Sequence, residues 1–573
     1  MGELTVQRTD RRGNYWISVA SRRLSRRRAL AAGAGGAGAA ALLAACGQRG
    51  GSVPSPRTAA SAGKPRAGGN VNVWQPVDWF DFDVTYLGKN TNNIEGVQHA
   101  YSQLLRFKFG PDVQYTDLNI EPALADKWET PDDQTYTFHM RPGVKFADLP
   151  PVNGRDLTSA DVKWSYEYES RTGQFKDKKL AAAQNAWMFS GIQSVQTPDA
   201  QTVVVKFDQP YTPFLNYVTH PWNPIMAHEI YDQDGHFKDH IVGTGAWQLD
   251  AAASQKGNRW VWKKNPTYWE QGYPYLDSVT WLVIKDDAAG RAAFQTRQLD
   301  ILPGAGTNMD IPTADQIKRD RPDAMVDVNI NPAPIHLYIQ TAKPPLNDLR
   351  VRQAISLSID RAEFIQTFTG GKGGYAMAGA FTDTYSQDEM KQMLKTDLAQ
   401  SKQLLSAAGY PNGLELELLT PGNAYGDVYI QQGELLLAQL RRGGFNAKIN
   451  AIDKADYLAR KQKQTYQLVF TGKALAPDVD SYLTVFEPGA VENYGAVNDP
   501  TLTDLIHKQR EEKDTTKRRD LVRQAVKRIN VDQVWALALF NPVRVDIWQS
   551  RVQNYKANFG RRDWPLEHAW LSG

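Results

Sequence analysis

Residues 414–419 (LELELL), 426–442 (GDVYIQQGELLLAQLRR) and 445–451 (FNAKINA) begin a regular alternation of short apolar runs and segments of helical length. The alternation continues through residues 454–463 (KADYLARKQK) and 466–471 (YQLVFT). Such a pattern predicts strand–helix–strand units, in which the helices cross over and successive strands lie largely parallel. The predicted fold class is therefore α/β.

Similar signals occur on the amino-terminal side of this stretch. Period-two alternation predicts a strand with Tyr136, Phe138 and Met140 on one buried face. Residues 158–161 (TSAD) form a capping box that predicts the start of a helix, and Asp348 precedes another run of apolar residues at helical spacing. The α/β pattern thus extends well beyond the segment that shows it best.

The composition excludes several classes of protein. Lys and Arg number 66 against 63 Asp and Glu, and the basic excess lies within residues 1–45. A nearly balanced charge argues against nucleic acid as a partner. Cys46 is the one cysteine, so an intrachain disulfide and a cysteine-based zinc site are both excluded.

The sequence around Cys46 predicts export and lipidation. Arginines at 26–28 precede residues 29–45, which are all Ala, Gly or Leu and end in Leu-Ala-Ala before the cysteine. This order is typical of a secretory signal, and the adjacent arginines resemble a twin-arginine signal. Leu-Ala-Ala-Cys resembles a lipobox. We predict a twin-arginine-type lipoprotein signal at 1–45 and a lipidated Cys46 opening a flexible tether at 46–69. The alternative is an uncleaved membrane helix, for which the apolar stretch is marginal in length.

Catalytic and cofactor motifs are missing from the sequence. It contains no phosphate-binding loop, no Gly-x-Ser-x-Gly elbow and no His-Glu-x-x-His. His228, His236 and His240 lie close together, but their polar surroundings predict a solvated loop rather than a metal site. We therefore predict a protein that is not an enzyme, with no cofactor and no metal.

An ordered series of motifs identifies a family. YTFHMRPGVKF at 136–146, LTSADVKWSY at 157–166, NPTYW at 265–269 and AGYPNG at 408–413 are among its members. The series resembles the extracellular solute-binding proteins of family 5 of ABC importers, the oligopeptide, dipeptide and nickel-type periplasmic binding proteins. The resemblance runs from about residue 70 to the carboxyl terminus.

This resemblance implies a two-lobed periplasmic-binding-protein clamshell that encloses its ligand between the lobes. Lobe I would comprise 70–108, 191–330 and 531–573, with an inserted subdomain at 109–190, and lobe II would comprise 331–530. The implied function is a monomeric, extracytoplasmic, membrane-anchored lipoprotein that captures an oligopeptide or dipeptide and delivers it to ABC permease and ATPase subunits. Three alternatives stay open: the same role for an oligosaccharide or other non-peptide ligand, an extracytoplasmic hydrolase on a similar scaffold, and a structural or sensory lipoprotein that has lost ligand affinity.

The predicted ligand-binding residues lie in connections between elements. Two are loop tryptophans that could stack on a ligand, and the others lie in connections that the resemblance assigns to the ligand. They are Trp79, Gly88, Lys89, Asn90, Thr91, Trp222, Lys473, Asp478, Asn493 and Tyr494.

The connection after Thr471 departs from the family pattern. Peptide-binding relatives carry an Asp shortly after this strand, which pairs with the ligand's amino group. Here the chain has Lys473 and no acid before Asp478. A lysine facing the ligand would favour an anionic or uncharged solute by Coulomb interaction, whereas a lysine facing solvent would have no such effect.

Overall fold

The described part of the chain contains three main sheets. The structure is a computed structural model that describes residues 63–79, 81–83, 85, 93–180, 183, 185–304, 309–378, 384–422, 427–472, 476–490, 492–560 and 565–573. All of them belong to one unit, Ala59–Gly573. The signal at 1–45 and Cys46 lie outside the described residues.

The strands of this part, in chain order, are β1 (Asn70–Gln75), β2 (Leu105–Phe107), β3 (Ile120–Pro122), β4 (Ala125–Glu129), β5 (Thr135–Met140), β6 (Ile192–Asp199), β7 (Thr202–Phe207), β8 (Trp247–Leu249), β9 (Arg259–Lys264), β10 (Ser278–Val283), β11 (Ile301–Leu302), β12 (Met325–Ile330), β13 (Ile335–Ile339), β14 (Leu414–Thr420), β15 (Phe445–Ala451), β16 (Leu468–Gly472), β17 (Ala536–Phe540), β18 (Val543–Trp548), β19 (Val552–Gln553) and β20 (Trp570–Leu571).

The α-helices of the same part are α1 (Asn93–Ala100), α2 (Ser159–Ser170), α3 (Phe214–Tyr217), α4 (His228–Asp234), α5 (Asp287–Gln295), α6 (Ile311–Asp320), α7 (Leu349–Ser358), α8 (Arg361–Thr369), α9 (Gln387–Met393), α10 (Leu398–Ala407), α11 (Asp427–Arg442), α12 (Lys454–Gln462), α13 (Asp480–Leu483), α14 (Pro500–Glu511) and α15 (Thr515–Lys527).

The first sheet has seven strands in the order β12-β18-β11-β1-β10-β9-β8. Its strand β1 pairs in parallel with β10 and β11. Val71 and Val73 of β1 are buried in one hydrophobic cluster, while Trp74 is buried in another. Both faces of this sheet are therefore covered. We call this sheet, with the four-stranded sheet attached to it, lobe I.

The attached sheet has the order β4-β5-β7-β6. Tyr136, Phe138 and Met140 of β5 are buried, as the period-two pattern predicts, and the predicted capping box starts α2. The sheet extends beyond the predicted subdomain limit at residue 190, because β7 pairs with β5 and places Val203 opposite Phe138. Strands β6 and β7 thus form one sheet with strands of the predicted subdomain.

The second lobe is built on a five-stranded sheet in the order β15-β14-β16-β13-β17. The elements predicted over 414–471 all form, with β14 parallel to both β15 and β16. Strand β17 also joins this sheet by pairing antiparallel with β13, although 531–573 was predicted to belong to lobe I. The prediction of an α/β fold is confirmed.

The chain passes between the two lobes at two places. It leaves β12 through residues 331–334 to enter β13, and it returns from β17 through Asn541 and Pro542 to β18. The Asn331 N–H donates to the Pro542 carbonyl at 2.8 Å, so the two crossings are joined by a hydrogen bond. Short connections of this kind can act as a hinge, since a few residues absorb the change in backbone angles. Among the described helices, none has the length and apolarity to span a membrane.

Candidate functional site

The predicted ligand-binding residues fall into two groups. Gly88, Lys89, Asn90, Thr91 and Lys473 lie outside the described residues. Trp79, Trp222, Asp478, Asn493 and Tyr494 are described, but the structure does not bring these five side chains to one place.

The two tryptophans are buried in lobe I. Trp79 is 1% exposed, and its ring lies 5.6 Å from the rings of both Trp260 and Trp281. Trp222 packs edge-on against His220 at 4.8 Å. Both tryptophans belong to the hydrophobic core that includes Val71 and Val73 of β1. A role in stacking on a ligand stays a prediction for both.

Asn493 and Tyr494 lie within lobe II. The Asn493 side chain donates to the Val497 carbonyl at 2.7 Å and accepts from the Val497 N–H at 2.8 Å, which stabilises the local turn. The Tyr494 hydroxyl donates to Glu492 at 2.9 Å, and its ring packs edge-on against Tyr338. Lys461 lies 4.6 Å from the centre of that ring. Their contacts are those of residues that hold a loop in place.

Asp478 joins the two lobes. Its carboxylate accepts two hydrogen bonds from the Arg518 guanidinium, at 2.7 and 3.1 Å, and one from the Asp480 N–H at 2.8 Å. Asn216, which belongs to lobe I, donates a further hydrogen bond at 2.8 Å. Because the aspartate is buried and these protein groups donate to its oxygens, its hydrogen bonds do not depend on a ligand.

Asp480 makes a second bridge between the lobes. Within lobe II it accepts from Arg510 at 2.6 Å and from Gln509 at 2.8 Å. From lobe I, the Tyr217 hydroxyl donates to it at 3.1 Å. Burial, reinforced by the Asp480 charge, raises the pKa of the Tyr217 hydroxyl well above its ordinary value. This hydroxyl therefore stays protonated and can donate at any physiological pH.

Backbone and apolar contacts accompany these bridges. The Thr212 N–H donates to the Arg510 carbonyl at 2.8 Å, and the Thr212 hydroxyl donates to the Glu512 carbonyl at 3.1 Å. Ala476 of lobe II packs into the hydrophobic core of lobe I. The segment around residues 211–217 is thus one part of lobe I that meets lobe II.

A different arrangement of acids is found inside lobe I. Asp83 is fully buried, and its Oδ1 accepts from the Thr85 N–H at 3.0 Å and from the Thr85 hydroxyl at 2.7 Å. Its other oxygen, Oδ2, is equally buried and accepts no hydrogen bond from any described residue. Half of this carboxylate therefore has unused hydrogen-bonding capacity.

Glu169, near the end of α2, has even fewer partners. It is 1% exposed, and neither of its carboxylate oxygens has a hydrogen-bond partner in the described ranges. The hydroxyls of Tyr101 and Tyr166 are also buried without a hydrogen-bond partner in that part of the chain. We call Asp83, Tyr101 and Glu169 the lobe I acid cluster.

The electrostatics show that these groups interact. Burial raises the pKa of the Glu169 carboxyl well above its ordinary value; Arg171 opposes this shift, and the Asp83 charge adds to it. Burial together with the Asp83 charge also raises the pKa of the Tyr101 hydroxyl. Arg171 donates to the Tyr168 carbonyl and, at 3.4 Å, to the Thr85 hydroxyl. The cluster therefore pairs two carboxylates with one neighbouring guanidinium.

The sequence predictions did not include Glu169, although a signal for it existed. Val162 and Tyr166 predict the apolar face of α2, and residue 169 is one turn further along the same face. A charged residue at such a position is unusual, because burial penalises its charge. The partners of Asp478 had no comparable signal, since Asn216 and Arg518 lie far from it in sequence.

No group of three or more His, Cys, Asp and Glu side chains in the described part of the molecule is arranged to hold a metal ion. His228 is paired with Asp232 at 2.7 Å, and His240 is paired with Asp234. The three histidines in this segment thus include two that bond to neighbouring aspartates.

A family model describing bacterial extracellular solute-binding proteins, family 5 (middle region), matches residues 119–492. Among curated proteins, the dipeptide-binding protein of Escherichia coli (strain K12) is 27% identical over 472 residues, which cover 78% of this chain and 85% of that protein.

Solved structures show the same two-lobed fold. The ABC transporter-associated periplasmic binding protein DppA from Helicobacter pylori, in complex with the peptide STSA, has a TM-score of 0.75 at 24% identity, covering 89% of this chain and 99% of that one. The PBP AgaA from A. tumefacien R10, in complex with agropinic acid, has a TM-score of 0.73 at 22% identity, covering 88% and 99% respectively.

Proposed function

Because the chain belongs to the family 5 bacterial extracellular solute-binding proteins, we propose that it captures a solute between its lobes and delivers it to an ABC importer. In this proposal the protein is exported by a twin-arginine-type signal and anchored as a monomeric lipoprotein through Cys46. The membrane permease and its ATPase subunits receive the loaded form.

One observation carries the proposal: two short crossings connect the lobes, and polar groups of lobe I meet buried acids of lobe II. A hinge permits opening, and these contacts stabilise the closed state that an importer could distinguish from the open one. Closure would also remove water from around the solute, which strengthens its polar contacts.

A dipeptide or oligopeptide is the first candidate for the solute. The Escherichia coli relative is named a dipeptide-binding protein, and the Helicobacter pylori structure contains a peptide. A non-peptide solute is the second candidate, and a specific observation favours it. The stretch between Thr471 and Asp478 contains no acid, and Asp478 itself is bonded to Arg518 and Asn216.

Native mass spectrometry of the protein purified from its own host tests the function. We expect a bound species that is released on unfolding, and its mass separates a peptide from a sugar or another solute. Calorimetric titration with the identified compound should then give saturable one-to-one binding. A protein that carries no solute and binds none from a host extract would contradict the proposal.

Membrane anchoring is tested separately. Replacing Cys46 by Ser removes the thiol that would be lipidated, so the variant should move from the membrane fraction to the soluble fraction while keeping its solute affinity. Unchanged retention in the membrane would contradict lipidation at Cys46.

A further inference from the structure

We propose that the lobe I acid cluster is a subsite that binds a cationic group of the solute, an ammonium or a guanidinium. The inference rests on the proposed function and adds to it the charge of the group that the protein recognises. The residues involved are Asp83 and Glu169, with Tyr101 beside them.

The acid cluster has unused hydrogen-bonding capacity. Asp83 Oδ2 and both oxygens of Glu169 are buried, and they accept no hydrogen bond within the described residues. Buried polar atoms in native proteins are almost always paired, because an unpaired one keeps the full cost of leaving water. Three such oxygens on two side chains therefore lack a hydrogen-bond donor among the described residues.

The charges around the cluster also favour a cation. Arg171 is the cation near these carboxylates, and its guanidinium also bonds to the Tyr168 carbonyl and lies 4.5 Å from the centre of the Tyr168 ring. Arg171 opposes the effect of burial on Glu169, but the pKa of this carboxyl still lies well above its ordinary value, so the solute-free side chain holds a proton. An incoming group with a positive charge and two or more N–H donors would favour the ionised form of Glu169 and hydrogen-bond to the open oxygens.

The place of the cluster in the chain links it to the predicted ligand contacts. Asp83 and Thr85 immediately precede residues 86–92, part of a connection predicted to contact the ligand, and α1 and Tyr101 follow it. In sequence, the cluster therefore adjoins a connection that the family resemblance assigns to the ligand. In lobe II, Asp478 and Asp480 are the first acids after Thr471, and both accept hydrogen bonds from protein donors. The open oxygens of lobe I are therefore better suited to a cation than these two aspartates.

Two pairs of matched peptides test the inference by calorimetry on the full exported chain. Ala-Ala-Ala and its N-acetyl form differ in the terminal ammonium, and Ala-Arg-Ala and Ala-citrulline-Ala differ in the guanidinium. In at least one pair, we expect the cationic member to bind about tenfold more tightly or better, as charge-assisted hydrogen bonds usually provide.

Glu169→Gln keeps the shape of the side chain and removes its charge, so it should reduce that preference to less than about threefold. Asp83→Asn is a second variant with the same expected direction. Glu167→Gln is the matched control, because Glu167 lies on the same helix but is located near Lys163 and the Gln174 N–H. The control should retain the preference. A purely structural role for Glu169 would lower stability without changing the ratio of the two affinities.

Equal affinity within both pairs, in a protein that binds the acetylated and citrulline peptides, would overturn the inference and leave the proposed function standing. A preference that survives in both Glu169→Gln and Asp83→Asn would also overturn it. If none of the four peptides binds, the peptide form of the proposed function fails, and the inference fails with it.

Discussion

Two pairs of buried acids in this molecule have opposite surroundings. Asp478 and Asp480 of lobe II accept hydrogen bonds from arginines and from residues of lobe I. Asp83 and Glu169 of lobe I retain three oxygens that accept nothing from the described residues. The comparison teaches that burial of an acid alone does not identify a binding residue; the donors around it decide whether a ligand is needed.

The largest expected effect comes from removing a donor of the lobe II pair. Arg518→Met leaves the buried Asp478 carboxylate without its two guanidinium bonds, so we expect the free energy of unfolding to fall by about 3–5 kcal/mol. Urea unfolding followed by tryptophan fluorescence measures the loss. Arg442→Met is the control, because its partner Glu363 is much more exposed, and it should cost less than about 1 kcal/mol. Similar losses in both variants would contradict a specific role for the Asp478 bridge.

A smaller effect is expected from one contact between the lobes. Tyr217→Phe removes the hydroxyl that donates to Asp480, a hydrogen bond to a charged group worth about 1.5–3 kcal/mol. If that bond stabilises the closed state, solute affinity should fall about tenfold or more, and X-ray scattering of the loaded protein should show a larger radius of gyration.

The control for this variant is Tyr457→Phe. The Tyr457 hydroxyl donates to the Phe470 carbonyl at 3.0 Å inside lobe II, so its loss should leave the solute affinity within about threefold. Unchanged affinity in Tyr217→Phe would show that the Asp480 bridge is not part of closure.

The smallest expected effect is a pH dependence in the solute-free protein. Since burial raises the pKa of Glu169, the folded state holds this proton more tightly than the unfolded state does. Stability contributed by the protonated form is therefore lost as pH rises above the ordinary value of 4.5, by up to about 1.4 kcal/mol per pH unit.

Glu169→Gln should remove this part of the slope, so that its stability relative to wild type increases by up to about 1.4 kcal/mol between pH 5 and pH 6. Denaturant titrations at several pH values check it, with Glu167→Gln as the control. A Glu169→Gln variant whose stability runs parallel to that of wild type over this range would show that Glu169 titrates normally.

Local patterns sufficed for much of the fold. The alternation over 414–471 predicted every helix and strand there, because each segment carries its own periodicity and ends at glycine or a polar turn. The pairing of β17 with β13 was not predictable in the same way, since those strands are about 200 residues apart in the sequence. Neither segment contains information about its partner that a local pattern could reveal.

The candidate site was harder to predict from the sequence for the same reason. Asp478 was predicted to contact the ligand from its place after β16, but its partners Arg518 and Asn216 are 40 and 262 residues away. Glu169 could have been found, because a charge on the buried face of α2 conflicts with the apolar pattern of that face. Its relation to Asp83 depends on packing between α2 and the segment after β1.

The most direct test of the account is a crystal structure of the protein with its own solute, in which the distance from the solute's nitrogen to the nearest carboxylate is measured. The account predicts a nitrogen within about 3 Å of an oxygen of Glu169 or Asp83, with Arg518 still bonded to Asp478. A solute whose nitrogen instead bonds to Asp478 or Asp480, with the arginine displaced, would contradict it.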